Sequence, residues 1–247
     1  EAGNVNTANW EPSACISADG NVMYFVSNRP GGYGGRDIYV CYRLPNRSWT
    51  EPENMGPTIN TPYEEDAPFI HPDGVSFFFS STGHTSMGGF DIFQSTKVAK
   101  GIWTKPENLG FPINTTDDDI YFVVSSDGRR AYYSSFKPEG KGEKDIYMVS
   151  MNKPLVKSIA ILAGWVKNKD GSAIPKYSSV NIKPQNGEVI SCKPNEATGK
   201  FMQSLLPGQE YEVTVEANNN KVFYDKFFLP SDSSYQVLGR AFFRQTI

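Results

Sequence analysis

The sequence of 247 residues has little of what reaction chemistry is usually built from: two histidines, three cysteines and a formal charge of only −3. With 24 Lys and Arg against 27 Asp and Glu, there is no basic field to hold a phosphate backbone. No run approaches the ~18 consecutive apolar residues that a membrane span needs. Nucleic acid and membrane insertion are therefore set aside. CxxC, HExxH and EF-hand patterns are missing, so no metal centre is signalled and no cofactor is implied. A GxSxG elbow is missing too, as is a carboxylate pair at unrepeated positions, so nothing marks a hydrolase. Neither His71 nor His84 lies in a motif that would activate a cysteine nucleophile. Cys15 falls in a first strand and Cys41 in a third, and strands one apart lie ~9–10 Å from each other, beyond the ~7 Å limit for a disulfide. Cys15, Cys41 and Cys192 are expected to be buried free thiols. The chain shows no signal peptide and opens at Glu1 instead of Met, so an upstream segment is expected to have been removed.

What is abundant is turn chemistry. The 22 Gly and 17 Pro together make 39 of 247 residues, about 16%, which disfavours long helices. Aromatic residues, at 13%, suit short strands whose rings pack on pleated surfaces. An all-β chain follows.

An exact internal repeat organises the first 150 residues or so. Asp-Gly steps fall at Asp19-Gly20, Asp73-Gly74 and Asp127-Gly128, and DI(Y/F) triplets begin at Asp37, Asp91 and Asp145, every step being 54. The same step links Ser27, Ser81 and Ser135, then Trp49 and Trp103, then the Asn-Thr pairs of Val5-Asn6-Thr7, Ile59-Asn60-Thr61 and Ile113-Asn114-Thr115. In each copy the pattern predicts a first strand before the Asp-Gly turn (around 69–71), a second over 76–81, a third from DI(Y/F), and a short fourth around Trp103. Four strands in about 54 residues is the content of a β-propeller blade.

The segments SADGNVMYFVSN, HPDGVSFFFSST and SSDGRRAYYSSF, followed by DIYV, DIFQ and DIYM, resemble the PD40 or TolB-type, WD40-like propeller repeat. The linker WTxPENxGxxINT is similar to that of the OmpA-family periplasmic lipoproteins of Bacteroidetes, which include a propeller-bearing component of type IX secretion. Three blades fall short of the four or more that usually close a ring. The expectation is an incomplete propeller over 1–153, completed by upstream blades or by another chain.

After Pro154 the period stops and the charge changes sign. Residues 155–247 carry 11 basic and 8 acidic residues, net +3, leaving 13 and 19, net −6, before them. Alternation in Tyr211 to Ala217 and turns at Asp170-Gly171, Asn186-Gly187 and Pro207-Gly208 predict a small β-sandwich over 155–247. GWVKNKDGSAIP (Gly164 to Pro175) with the later ATGKFMQSLLPGQEYEVTVEA resembles the carboxypeptidase regulatory-like domain, a transthyretin-like sandwich, with Asn168 and the late Pro175 as departures. The resemblance implies an accessory, non-enzymatic role.

A catalytic acid is needed once, so Asp37, Asp91 and Asp145, present in every copy, are read as structural hydrogen-bonding groups. Trp49 and Trp103 are read as inter-blade packing by the same reasoning. The acidic runs Glu64-Glu65-Asp66 and Asp117-Asp118-Asp119 admit a calcium ion or a basic partner, but first-strand entry with capping of local N–H groups accounts for them more simply. Functional difference should lie in the loops between second and third strands, 29–36, 83–90 and 137–144. There Arg29, Tyr33, Arg36, His84, Met87, Lys137 and Lys141 give a cationic and aromatic rim of the kind enriched at protein interfaces.

The resulting expectation is a periplasmic scaffold associated with the outer membrane, in type IX protein secretion or in tethering that membrane to peptidoglycan. Its partners would be envelope or secretion proteins, with peptidoglycan reached through a domain outside this chain. The alternatives are an accessory propeller of a peptidase or glycan-degrading enzyme, and a carbohydrate-binding module.

Overall fold

The computed structural model describes residues 3–157, 159–168, 178–218, 220–231 and 237–244. Among them the fold is all-β, with a single short 3-10 turn at Gly3–Val5. Among the described residues no helix is long and apolar enough to cross a membrane. The chain divides into two compact units, Glu1–Val156 and Lys157–Ile247.

The first unit is an incomplete propeller of three successive antiparallel sheets. The first holds β1 (Ala14–Ile16), β2 (Val22–Ser27), β3 (Asp37–Tyr42) and β4 (Glu53–Asn54) in that order. The second holds β5 (Glu65–Ile70), β6 (Ser76–Ser81) and β7 (Asp91–Ala99), with β8 (Ile102–Trp103) on the end of β7 and β9 (Glu107–Asn108) on its middle. The third has only β10 (Asp119–Val124), β11 (Arg130–Ser135) and β12 (Asp145–Ser150). Each Asp-Gly step closes the first hairpin of its blade. Gly20, Gly74 and Gly128 take φ of 73°, 74° and 67°, which a side chain would disfavour.

Two expectations need correction. The fourth ladder strand is the Glu-Asn pair after the tryptophan, which meets Tyr39 and Val40 in blade one and Phe93 and Gln94 in blade two. Trp103 instead turns back on β7 opposite Lys97. The third blade is three-stranded, because the chain leaves it at Met151 before any such pair occurs. Leu155 then donates its N–H to the Gly128 carbonyl (3.1 Å), and Val156 is buried in that blade's core, so the unit ends two residues beyond Pro154.

Blades stack far face on near face. Tyr24, Val26, Ile38 and Val40 of blade one form one cluster with Ile59, Phe77, Phe79 and Phe93 of blade two. Phe78 and Ile92 on the other side of blade two pack with Ile113, Ala131 and Tyr133 of blade three. Trp103 lies on the first seam, 6.1 Å from Tyr24 and 5.1 Å from Phe77, while Trp49 packs on the near face of blade one. All three cysteines are free; Cys41 is buried, but Cys15 and Cys192 are only half-buried, which corrects the expectation for those two.

Asn60 and Asn114 tie the linkers down. Asn60 accepts from the Ile38 N–H (2.8 Å), donates to the Ile38 carbonyl (2.9 Å) and donates to Asn54 Oδ1 (2.8 Å). Asn114 repeats this with Ile92 and Asn108. Both side chains are buried and act as a substitute ladder rung on the outer edge of the third strand.

The second unit is a two-sheet sandwich. One sheet is formed by β13 (Ala160–Asn168), β16 (Lys200–Leu205) and β19 (Val237–Arg244), with β13 central and parallel to β19. The other runs β15 (Ile190–Cys192), β14 (Ser179–Pro184), β17 (Gln209–Ala217), β18 (Asn220–Leu229). Tyr211, Val213 and Val215 face the core with Leu162, Val180, Ile182, Phe201 and Leu229. The buried Tyr211 hydroxyl donates to the Leu206 carbonyl at 2.8 Å and accepts from its N–H at 2.9 Å, which pins the turn before β17. The Asp170-Gly171 turn and Pro175 lie outside the described residues.

Candidate interaction surface

Each loop between second and third strands is closed by the aspartate that begins the third. Asp37 accepts from the N–H groups of Tyr33 (2.5 Å) and Gly34 (3.1 Å) and from Asn54 Nδ2 (2.9 Å). Asp91 accepts from Met87 N–H, Ser86 Oγ and Asn108 Nδ2, and Asp145 from Lys141 N–H (2.6 Å). Tyr33, Met87 and Lys141 occupy one repeat position. The aspartate holds the backbone N–H of each and leaves its side chain exposed.

Glycine lets these loops press on the next blade. A Cβ at Gly34 would come within 2.0 Å of the Tyr63 carbonyl oxygen, and one at Gly88 within 2.3 Å of that of Thr116. Gly35 N–H donates to the Tyr63 carbonyl at 3.0 Å. The loop carrying Tyr33 is thereby seated on the segment carrying the exposed Tyr63.

Arg29, His84 and Lys137 are turned inward, which corrects their reading as open rim residues, while Lys141 stays exposed. The Arg29 guanidinium lies 5.0 Å from the centres of both Phe25 and Tyr39 and donates to the Val5 carbonyl (2.8 Å). His84 occupies the matching place in blade two. It packs on Phe79 and Phe93 and meets the Ile59 carbonyl through Nε2 at 2.9 Å, so that nitrogen carries the proton. Burial holds its pKa below the ordinary value, keeping the ring neutral. Lys137 lies 4.4 Å from the centre of Tyr147 and 5.7 Å from that of Tyr133. All three clamp an aromatic pair inside their own blade. A cation over a ring face gains more there than in water, because the ring quadrupole acts at low local dielectric.

Arg36 joins two blades. It pairs with Glu64 (2.6 Å) and the buried Asp66 (2.5 Å) and lies between Trp10 (5.0 Å) and Phe90 (5.2 Å). In the segments that carry this cluster or adjoin it, Trp10, Tyr33, Tyr63 and Met87 are all exposed. Sequence reasoning found Tyr33 and Met87 but missed Trp10, Tyr63 and Phe90. These lie at unlike repeat positions, so the step of 54 gave no signal for them.

The acidic runs are engaged by protein donors. Glu65 accepts from Thr61 N–H (2.9 Å), Thr61 Oγ1 (2.7 Å) and Ser81 Oγ (2.7 Å). Glu11 meets Thr7 and Ser27 in the same way, and Asp119 accepts from the N–H (2.6 Å) and Oγ1 (3.0 Å) of Thr115. This threonine–carboxylate contact explains why those threonines recur at 54. Asp118 pairs with Lys144 at 2.9 Å. Among the described residues no group of three His, Cys, Asp or Glu is placed to hold a metal ion.

Burial pushes Glu65 up from 4.5 to about 7, against the hydrogen bonds from Thr61 and Ser81. A folded pKa above the unfolded one gives stability that is complete below pH 4.5 and declines as pH rises through about 7. Glu65→Gln is expected to remove that decline and to be the more stable form at pH 8, by up to about 3 kcal/mol. Chemical denaturation at pH 5 and pH 8 checks this, and equal pH dependence in both proteins would refute it.

No family model matches the chain, and none of the curated proteins matches it either. Solved structures with some likeness include the periplasmic gluconolactonase PpgL of Pseudomonas aeruginosa, at 12% identity over 89% of this chain and 71% of that one, TM-score 0.31. Another is a C-terminal fragment of the pilus adhesin SpaC of Lactobacillus rhamnosus GG, at 10% identity over 94% and 93%, TM-score 0.29. Likenesses this distant bring neither ligand nor reaction to the chain.

Proposed function

We propose that this chain is a non-enzymatic scaffold of the bacterial periplasm that captures a protein partner on the surface formed by Trp10, Tyr33, Tyr63 and Met87. The observation that carries this reading is the exposure of these large side chains on backbone fixed by Asp37, Asp91 and the Arg36 cluster. Exposed aromatics on a fixed backbone around a partly buried arginine are what protein hot spots are made of, since little side-chain entropy is lost on binding.

The non-enzymatic part rests on the state of the reactive groups. His71 is fully buried and His84 is committed to its aromatic pair. Burial pushes the Cys41 and Cys192 thiols up to about 11, far from the thiolate a nucleophile needs. The periplasmic setting, and a place in type IX secretion or in tethering the outer membrane to peptidoglycan, rest on the resemblance of the repeat and its linker. A carbohydrate-binding reading draws on the same exposed aromatics. The test is capture of envelope proteins by the wild-type chain and by a Tyr33→Ala, Tyr63→Ala, Met87→Ala variant, with a glycan array beside it. Loss of a defined protein ligand in the variant supports the scaffold, and binding to glycans alone would replace it with the carbohydrate reading.

A further inference from the structure

A cavity of about 150 Å³ opens on the seam between blades one and two. Tyr24, Tyr42 and Glu53 line it from blade one, Lys97 and Trp103 from blade two. Tyr24 is only 3% exposed, yet its hydroxyl makes no hydrogen bond among the described residues, whereas a buried tyrosine hydroxyl ordinarily finds a partner. The Tyr42 hydroxyl, the Glu53 carboxylate and the Lys97 ammonium are likewise free of hydrogen bonds and ion pairs among the described residues. Asn54, beside them, is by contrast committed to Asp37, Gly56 and Asn60.

Packing of the repeat does not require these groups. One step of 54 after Tyr24, Tyr42 and Lys97 stand Phe78, Thr96 and Met151. Phe78 is fully buried without a hydroxyl, so the Tyr24 oxygen serves something other than the seam. One step before Lys97 stands Arg43, which is engaged with the Gly20 carbonyl (3.2 Å) and the Trp49 ring (5.5 Å). Lys97 has neither kind of contact. Of the four unpartnered groups only Glu53 recurs, as Glu107.

Glu53 and Lys97 line one cavity from different blades and do not pair with each other. A singly charged ligand would meet one and be repelled by the other, and a neutral one would leave both uncompensated, so the complement is a molecule carrying both signs. The ammonium end belongs at Tyr42 and Glu53. Burial, and then the Glu53 carboxylate, push the Tyr42 phenol above its ordinary pKa, and a face of Tyr42 already takes the Lys100 ammonium at 4.6 Å. The carboxylate end belongs at Lys97 and at the Tyr24 hydroxyl, which burial keeps protonated and able to donate. Val40, Met55 and the Trp103 ring supply an apolar wall for a short side chain. A cavity of this size accommodates a benzene molecule, which limits the occupant to roughly six to eight non-hydrogen atoms. We propose that this seam binds a free α-amino acid with a small apolar side chain, alanine to valine in size, its ammonium on Glu53 and Tyr42 and its carboxylate on Lys97 and Tyr24. The site shares no residue with the partner-capture surface, so either can fail without the other.

Titration of the 247-residue chain, followed through the NMR signal of the Trp103 indole N–H, tests the proposal with three probes: valine, valinamide and isovalerate. Valine should bind, and the other two should bind more weakly by about tenfold or more, since each has lost one charge-assisted contact. Lys97→Met should erase the preference for valine over valinamide, and Glu53→Gln the preference over isovalerate. Tyr24→Phe, a change that the buried Phe78 shows the blade accepts, should weaken valine about tenfold at unchanged melting temperature. No shift of the Trp103 signal with valine up to about 10 mM would overturn the proposal. So would equal affinities for the three probes, or preferences that survive in Lys97→Met and Glu53→Gln.

Discussion

Asn60→Ala is expected to destabilise the propeller unit by about 3–5 kcal/mol, because it strips both the N–H and the carbonyl of Ile38 of their partner in a buried site. Removing one buried partner leaves desolvated groups that cost roughly 1–3 kcal/mol each. Asn54, which receives a bond from Asn60 and itself donates to Asp37, loses its orientation as well. The damage therefore spreads from the linker to the loop that displays Tyr33. The chain supplies its own control. Asn6 holds the same place in the Val-Asn-Thr copy, yet its side chain is exposed, so Asn6→Ala should change stability by less than about 0.5 kcal/mol. Thermal unfolding should separate the two variants by roughly 10 °C for a unit of this size. Equal melting temperatures would mean that the asparagine rung does not hold the linker.

The second large effect is on binding. Tyr33 and Tyr63 are exposed, and neither ring takes part in the aromatic clusters of the blades, so truncating them removes little that folding needs. Hot-spot aromatics contribute roughly 2 kcal/mol or more each to association. Loss of both should weaken capture by about 30- to 1,000-fold, allowing for coupling between neighbours. Arg29→Ala makes the contrasting case. It opens the clamp over Phe25 and Tyr39 and leaves the Val5 carbonyl without its donor, so its cost appears in stability. A variant that combined Arg29 and Arg36 with Tyr33 would confuse the two effects, since Arg36 also holds Glu64 and Asp66.

The propeller was largely legible because its copies contain no insertions. Asp37, Asp91 and Asp145 open their strands as the triplets imply, and Ser76–Ser81 is a strand over the residues its aromatics mark. The two-residue strands Glu53–Asn54 and Glu107–Asn108 were not legible, since two residues are too few to show an alternation. The conspicuous tryptophan nearby drew the assignment instead. The loop cations were misread for another reason. A lysine or arginine among glycines suggests solvent, but Arg29 answers to rings at Phe25 and Tyr39, on the strands before and after its loop. The repeat did hold that information, because Lys137, Tyr133 and Tyr147 lie 108 residues after Arg29, Phe25 and Tyr39, two steps of 54. Glu11, Glu65 and Asp119 follow Thr7, Thr61 and Thr115 by four residues each and could have been found in the same way. Trp10 and Tyr63 could not, because they break the repeat, and a surface specific to one partner is written in such departures.

The most direct test of the proposed scaffold role is therefore an affinity. The envelope protein retained by the wild-type chain should be purified and its dissociation constant measured against wild type and against Tyr33→Ala, Tyr63→Ala, with the melting temperature of each recorded. The account predicts a rise in the constant of at least about 30-fold at unchanged melting temperature. An unchanged constant, with both variants folded, would contradict it and place the binding surface elsewhere on the chain.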